Sequence, residues 1–147
     1  MKRICSVVLC LILMGGMFGC NRSSKKWTIG EMSTYVISDV IDMVLVENYA
    51  YKTGAKFTIK NNTPITYTYG YAYVLEVLMN GDWYTVNGGA PDVPAGEYNL
   101  FPGDSRDHMY GSDYGKLDTG TYRVVIEVFP KDTELDSAFI AGEFVVR

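Results

Sequence analysis

At 147 residues with a formal net charge of −4, the chain can bury the core of one domain and is too acidic to read as a nucleic-acid binder. Its 17 carboxylates and 13 cations are interspersed, which is the pattern of a soluble surface rather than of a recognition patch. One histidine and three cysteines, two of which fall in an apolar leader, exclude a disulfide scaffold and a cysteine-based zinc site.

The first nineteen residues have the layout of an export signal. Lys2 and Arg3 form a basic start, and Ile4 to Met14 is an almost unbroken apolar run, short for a bilayer span. The run ends at Met17-Phe18-Gly19-Cys20, a small residue followed by cysteine. That ending resembles a bacterial lipobox, although Met17 stands where leucine is usual and Phe18 is bulky. The resemblance implies cleavage before Cys20 and lipid on its thiol, with an ordinary secretion signal or an uncleaved anchor as alternatives. Cys5 and Cys10 would leave with the leader, and lipidation would mask the one remaining thiol. Asn21 to Lys26 is polar and basic and reads as a short tether. The expected organisation is therefore a signal over 1–19, a lipidated cysteine with tether and lead-in over 20–38, and a folded domain over 39–147.

From Trp27 to Asp39 no period is clean, so an irregular lead-in or an edge strand is expected. Asp39 to Glu47 is β-branched and predicts a strand, with a turn over Asn48 to Gly54. Ala55-Lys56-Phe57-Thr58-Ile59-Lys60 alternates, with Ala55, Phe57 and Ile59 facing inward. Asn61-Asn62-Thr63-Pro64 stops it. Thr66 to Met79 predicts one long strand, with Tyr67, Tyr69, Tyr71, Tyr73, Leu75, Val77 and Met79 on one face and Glu76 on the other. Asn80-Gly81 is a type I′ hairpin signal, returning through Asp82 to Val86. Asn87 to Gly103 is glycine- and proline-rich and irregular, with a short strand possible near Tyr98 to Phe101. Asp104 to Asp113 predicts a strand with a wet face.

Lys116-Leu117-Asp118-Thr119-Gly120-Thr121-Tyr122 then feeds a central strand whose Val124, Ile126 and Val128 share the core face. The Asp118-x-Gly120-x-Tyr122 spacing suits a tyrosine corner, in which the hydroxyl bonds back to the chain a few residues upstream. Arg123 should point outward and pair with a carboxylate. Ala138 to Val146 closes the sheet with Ile140, Phe144 and Val146 inward. About seven strands at this spacing, without a convincing helix, predict an all-β, immunoglobulin-like antiparallel sandwich.

Asn61-Asn62-Thr63, Tyr69-Gly70, Tyr73, Leu75-Glu76, Asn80-Gly81-x-Trp83-Tyr84, Phe101-Pro102-Gly103-Asp104, Leu117-x-x-Gly120-x-Tyr122-Arg123 and Glu143-Phe144-x-Val146 follow in order. Over residues 40 to 147 this resembles the bacterial immunoglobulin-like domain of surface lipoproteins and membrane sensor proteins. The resemblance implies a fold and an extracytoplasmic location on a bacterial membrane, with no cofactor and no catalytic motif.

Two candidate binding features stand out. Tyr67, Tyr69 and Tyr71, with Trp83 and Tyr84 of the return strand, could present rings to a glycan or a protein, or could belong to the core. The 87–103 loop could engage a partner or act as an inhibitor presents itself to a protease, or could simply join two sheets. Asp104, Asp107, Asp113 and Asp118 lack calcium-loop spacing, and no metal site is expected. Asp104-Ser105-Arg106-Asp107-His108 contains triad residue types, but adjacency is not a triad, and no enzyme is expected. The expected role is a non-catalytic interaction module, and the sequence leaves its partner and oligomeric state open.

Overall fold

The computed structural model describes residues 27–88 and 96–147, so the leader, Cys20 and residues 89–95 lie outside it. Ten strands fill these residues: β1 Thr28–Met32, β2 Asp42–Tyr51, β3 Gly54–Lys60, β4 Tyr67–Gly70, β5 Val74–Met79, β6 Asp82–Asn87, β7 Glu97–Leu100, β8 Ser105–Tyr110, β9 Gly120–Pro130 and β10 Ala138–Val146. The helical content of the described residues is one 3-10 turn, Ser112–Tyr114.

Two antiparallel sheets result. One holds β2-β3-β8, and the other runs β1-β6-β5-β9, with β10 on the far side of β9 and β4-β7 extending the sheet. The long strand expected over Thr66 to Met79 is split at residues 71–73. Its first half pairs with β7 and its second with β6, so the break lets one strand serve two neighbours. The turn expected after Glu47 is also displaced. β2 continues to Tyr51 through a bulge, where the ladder with β3 shifts between Leu45 and Ala50 and Asn48 takes a left-handed φ of 63°.

Alternation builds the core as pleated strands require: Phe57 and Ile59 from β3, Leu75 from β5, Val124, Ile126 and Val128 from β9, and Ile140, Phe144 and Val146 from β10. The Tyr122 hydroxyl donates to the Asp118 carbonyl at 3.0 Å, bracing the entrance to β9. Asn61 is fully buried and ties the top of the sandwich together. Its side-chain amide donates to the carbonyls of Ile65 at 2.7 Å and Leu100 at 3.0 Å, while its backbone pairs with Gly103 and Asp104.

The folded unit begins earlier than Asp39. β1 is an edge strand on β6, and Trp27 enters the core, its indole N–H donating to the Lys116 carbonyl at 3.1 Å. Beyond β1 the chain reaches the opposite border of the same sheet. The Ser33 amide donates to the Trp83 carbonyl, Ile37 bridges Phe139, and the Ser38 amide donates to the Phe139 carbonyl, the two amide bonds each being 2.7 Å. Going from β6 to the free edge of β10 requires crossing β5 and β9, so residues 33–36 form a strap over the outer face.

Candidate functional site

The strap explains a departure from the alternation pattern. Glu76 and Arg123 are opposed across β5 and β9 on the outer face, yet Glu76 is 0 % exposed and Arg123 is nearly buried. Arg123 Nε donates to Glu76 Oε2 at 2.5 Å, its Nη2 donates to Ser33 Oγ at 3.3 Å, and its guanidinium lies 4.4 Å over the Trp83 ring. Glu76 Oε1 has no hydrogen-bond partner among the described residues. Outward Val125 is covered too.

A second polar cluster lies where the β7 edge of one sheet meets the β8 edge of the other. Arg106, His108 and Tyr110 oppose Ile59, Phe57 and Ala55 across the β3–β8 ladder, so they share the inward face. Inward positions on this edge strand thus carry a cation, an imidazole and a phenol. Tyr98 of β7 and Tyr69 of β4 meet them from the other sheet. The Tyr69 hydroxyl and His108 Nε2 share a 2.8 Å hydrogen bond, the Tyr98 ring is 4.8 Å from His108, and the Arg106 guanidinium is 5.8 Å from Tyr98. Tyr71 packs 4.8 Å from Tyr98 and is 39 % exposed. Hydrogen bonding of the Tyr98 hydroxyl to Tyr71 favours its protonated form and raises its pKa. Burial pushes the Tyr69 hydroxyl up to about 12, and burial followed by the Arg106 charge lowers His108 below its ordinary value. The seam therefore presents protonated phenols, a ring stack and one cation.

The sequence-predicted aromatic surface is dispersed by the fold. Tyr67 and Tyr69 are buried, at 4 % and 1 %, because the tyrosine face of β4 is the face that packs on the second sheet. Trp83 lies under Arg123, and Tyr84 is half-buried against the core. Tyr71 alone of the five is exposed. Tyr73 donates to Asp113 Oδ2 at 2.7 Å and accepts from the Gly111 amide at 2.9 Å, clamping the 3-10 turn. Within the 87–103 segment, β7 and the turn before β8 are integral to the sheets, and residues 89–95 lie outside the described residues. Tyr98 and Arg106 were not read from sequence as binding residues, and His108 was weighed there only as a catalytic residue. The available signal was the polar inward register of β8.

His108 is surrounded by phenols, sharing a hydrogen bond with the Tyr69 hydroxyl and lying against the Tyr98 and Tyr110 rings. Among the described residues no group of histidine, cysteine or acidic side chains could hold a metal ion. Two antiparallel sheets packed face to face, with Tyr122 braced on Asp118, define an immunoglobulin-like sandwich. Residues 41–140 match the bacterial Ig-like domain family, and the chain belongs to that family. No curated protein matches the chain.

Proposed function

We propose that this protein is a non-catalytic interaction domain, held by lipid on Cys20 at the extracytoplasmic face of a bacterial membrane, that engages an envelope glycan through Tyr71, Tyr98 and Arg106. The family is typically non-catalytic. The observation that carries the binding reading is the inward but solvent-reaching Arg106 beside the Tyr98 and Tyr71 rings. Rings offer faces for sugar C–H surfaces, while phenol and guanidinium groups supply hydrogen bonds to hydroxyls.

Co-sedimentation with purified cell-wall sacculi tests the seam. Binding that falls at least about tenfold in a Tyr98→Ala/Arg106→Ala double variant, a loss of about 1.4 kcal/mol, supports it. Equal binding by a folded double variant, or none by the unaltered chain, overturns the glycan reading. The anchor is tested separately by the intact mass of membrane-extracted protein. Cleavage before Cys20 plus acyl chains is expected, with mass shift and membrane retention both lost in Cys20→Ala. An unmodified Cys20 overturns the anchor.

A further inference from the structure

We propose that residues 27–38 are a releasable strap, and that peeling it from the sheet converts a short membrane tether into a long one. The use of this device rests on the lipid-anchor reading, whereas its geometry does not.

The strap is held at its two ends and weakly between them. β1 pairs with β6 at one border, and Ile37 and Ser38 pair with Phe139 at the other. The crossing is secured by Ser33 on Arg123 and by the Tyr35 ring 4.8 Å from Phe139, while Val36 is 85 % exposed. Trp27 is its one contribution to the fully buried core cluster, whose other members begin at Ile41. The family match also begins at residue 41, beyond the strap. Nine of the ten strands among the described residues, and the rest of that core cluster, lie beyond residue 40.

The face underneath is suited to being uncovered. Recesses of about 440 Å³ and 190 Å³ flank the crossing at Thr34 and Tyr35. Beneath it, a buried ion pair, one of whose carboxylate oxygens has no hydrogen-bond partner among the described residues, is shielded from water whenever the strap is down. Rehydration of that pair offsets part of the cost of release, which an apolar face would not do. Tension arriving through residue 26 acts on one end of β1, so the ladder opens pair by pair. Once released, residues 27–38 add about 40 Å of extended reach to whatever precedes them.

Thiol labelling of the full chain under native conditions tests the opening, with modification read peptide by peptide. Val125→Cys lies under the strap, and Val124→Cys lies in the inter-sheet core of the same strand. The strap predicts labelling at Val125→Cys at least about 100-fold faster, corresponding to opening well below global unfolding. A Thr28→Cys/Asn87→Cys crosslink should bring the Val125→Cys rate down to that of Val124→Cys, and reduction should restore it. Equal rates without the crosslink overturn the strap. Should either cysteine variant misfold, hydrogen exchange of the unaltered chain decides, since the Ser33 and Ser38 amides must exchange far faster than those of Val124 and Ile126. Fast opening on a chain whose Cys20 carries no lipid overturns the tether role and leaves the opening itself measured.

Discussion

Tyr122 shows how much one hydroxyl can organise. Its ring stacks on Phe144 at 5.6 Å and meets Trp27 edge-on at 6.4 Å, while its oxygen braces the Asp118 turn. Tyr122→Phe keeps both ring contacts and removes the brace, so a loss of about 1 kcal/mol in urea unfolding is expected. Spacing made this residue legible, because a turn glycine two positions before a tyrosine is a local feature. His108 was not legible as a seam residue, since its hydrogen-bond partner Tyr69 comes from β4, 39 positions away. Its pKa is depressed mainly by burial and then by Arg106. The unfolded ring protonates near 6.5, whereas the folded ring resists until lower pH, so unfolding takes up a proton between those values. Stability present above pH 6.5 should therefore decline as pH falls through that window. Urea midpoints measured across it should fall more gently in His108→Gln than in the unaltered chain.

At the scale of the element, period-two patterning placed the strands of the core correctly and misjudged the outer face of β5 and β9. Alternation says which side of a sheet a residue occupies, not what else crosses that side. Arg123 reads as outward and Glu76 as off the tyrosine face, and neither reads as buried, because the strap has no period to announce it. Removing either partner of the buried pair should cost about 3–5 kcal/mol, as Glu76→Leu or Arg123→Leu leaves a lone charge under the strap. The Glu76→Leu/Arg123→Leu double variant should recover most of that loss, and a double-mutant cycle in urea measures the recovery. Gly142 shows a tighter constraint. A Cβ there would lie 2.5 Å from the Phe57 ring, so Gly142→Ala should destabilise by about 1–3 kcal/mol, visible as a lower melting temperature.

For the whole molecule, class and strand content were readable because turns and alternation are local, and the family match agrees. The pairing of β7 with β4 and the docking of Trp27 were not, because each joins segments far apart in the chain. Trp27→Ala should cost about 3–5 kcal/mol, since the void would open beside Tyr122 and the Lys116 carbonyl. Chemical denaturation measures that loss. Hydrogen exchange should show its local origin, with protection lost first at the β1–β6 pairing.

The strap also sets an order of events during synthesis. Trp27 waits for Lys116, 89 residues later, and Ser33 waits for Arg123, 90 residues later. The last of its partners, Phe139, belongs to the final strand. A stretch made well before its partners is thus among the last to find its place, and long-range closure of this kind is slow. A nascent chain of this protein can form the β1–β6 ladder once β6 is made, but cannot seat Ile37 and Ser38 until β10 has been made. Any factor that escorts the growing chain before then meets that end of the strap unclaimed.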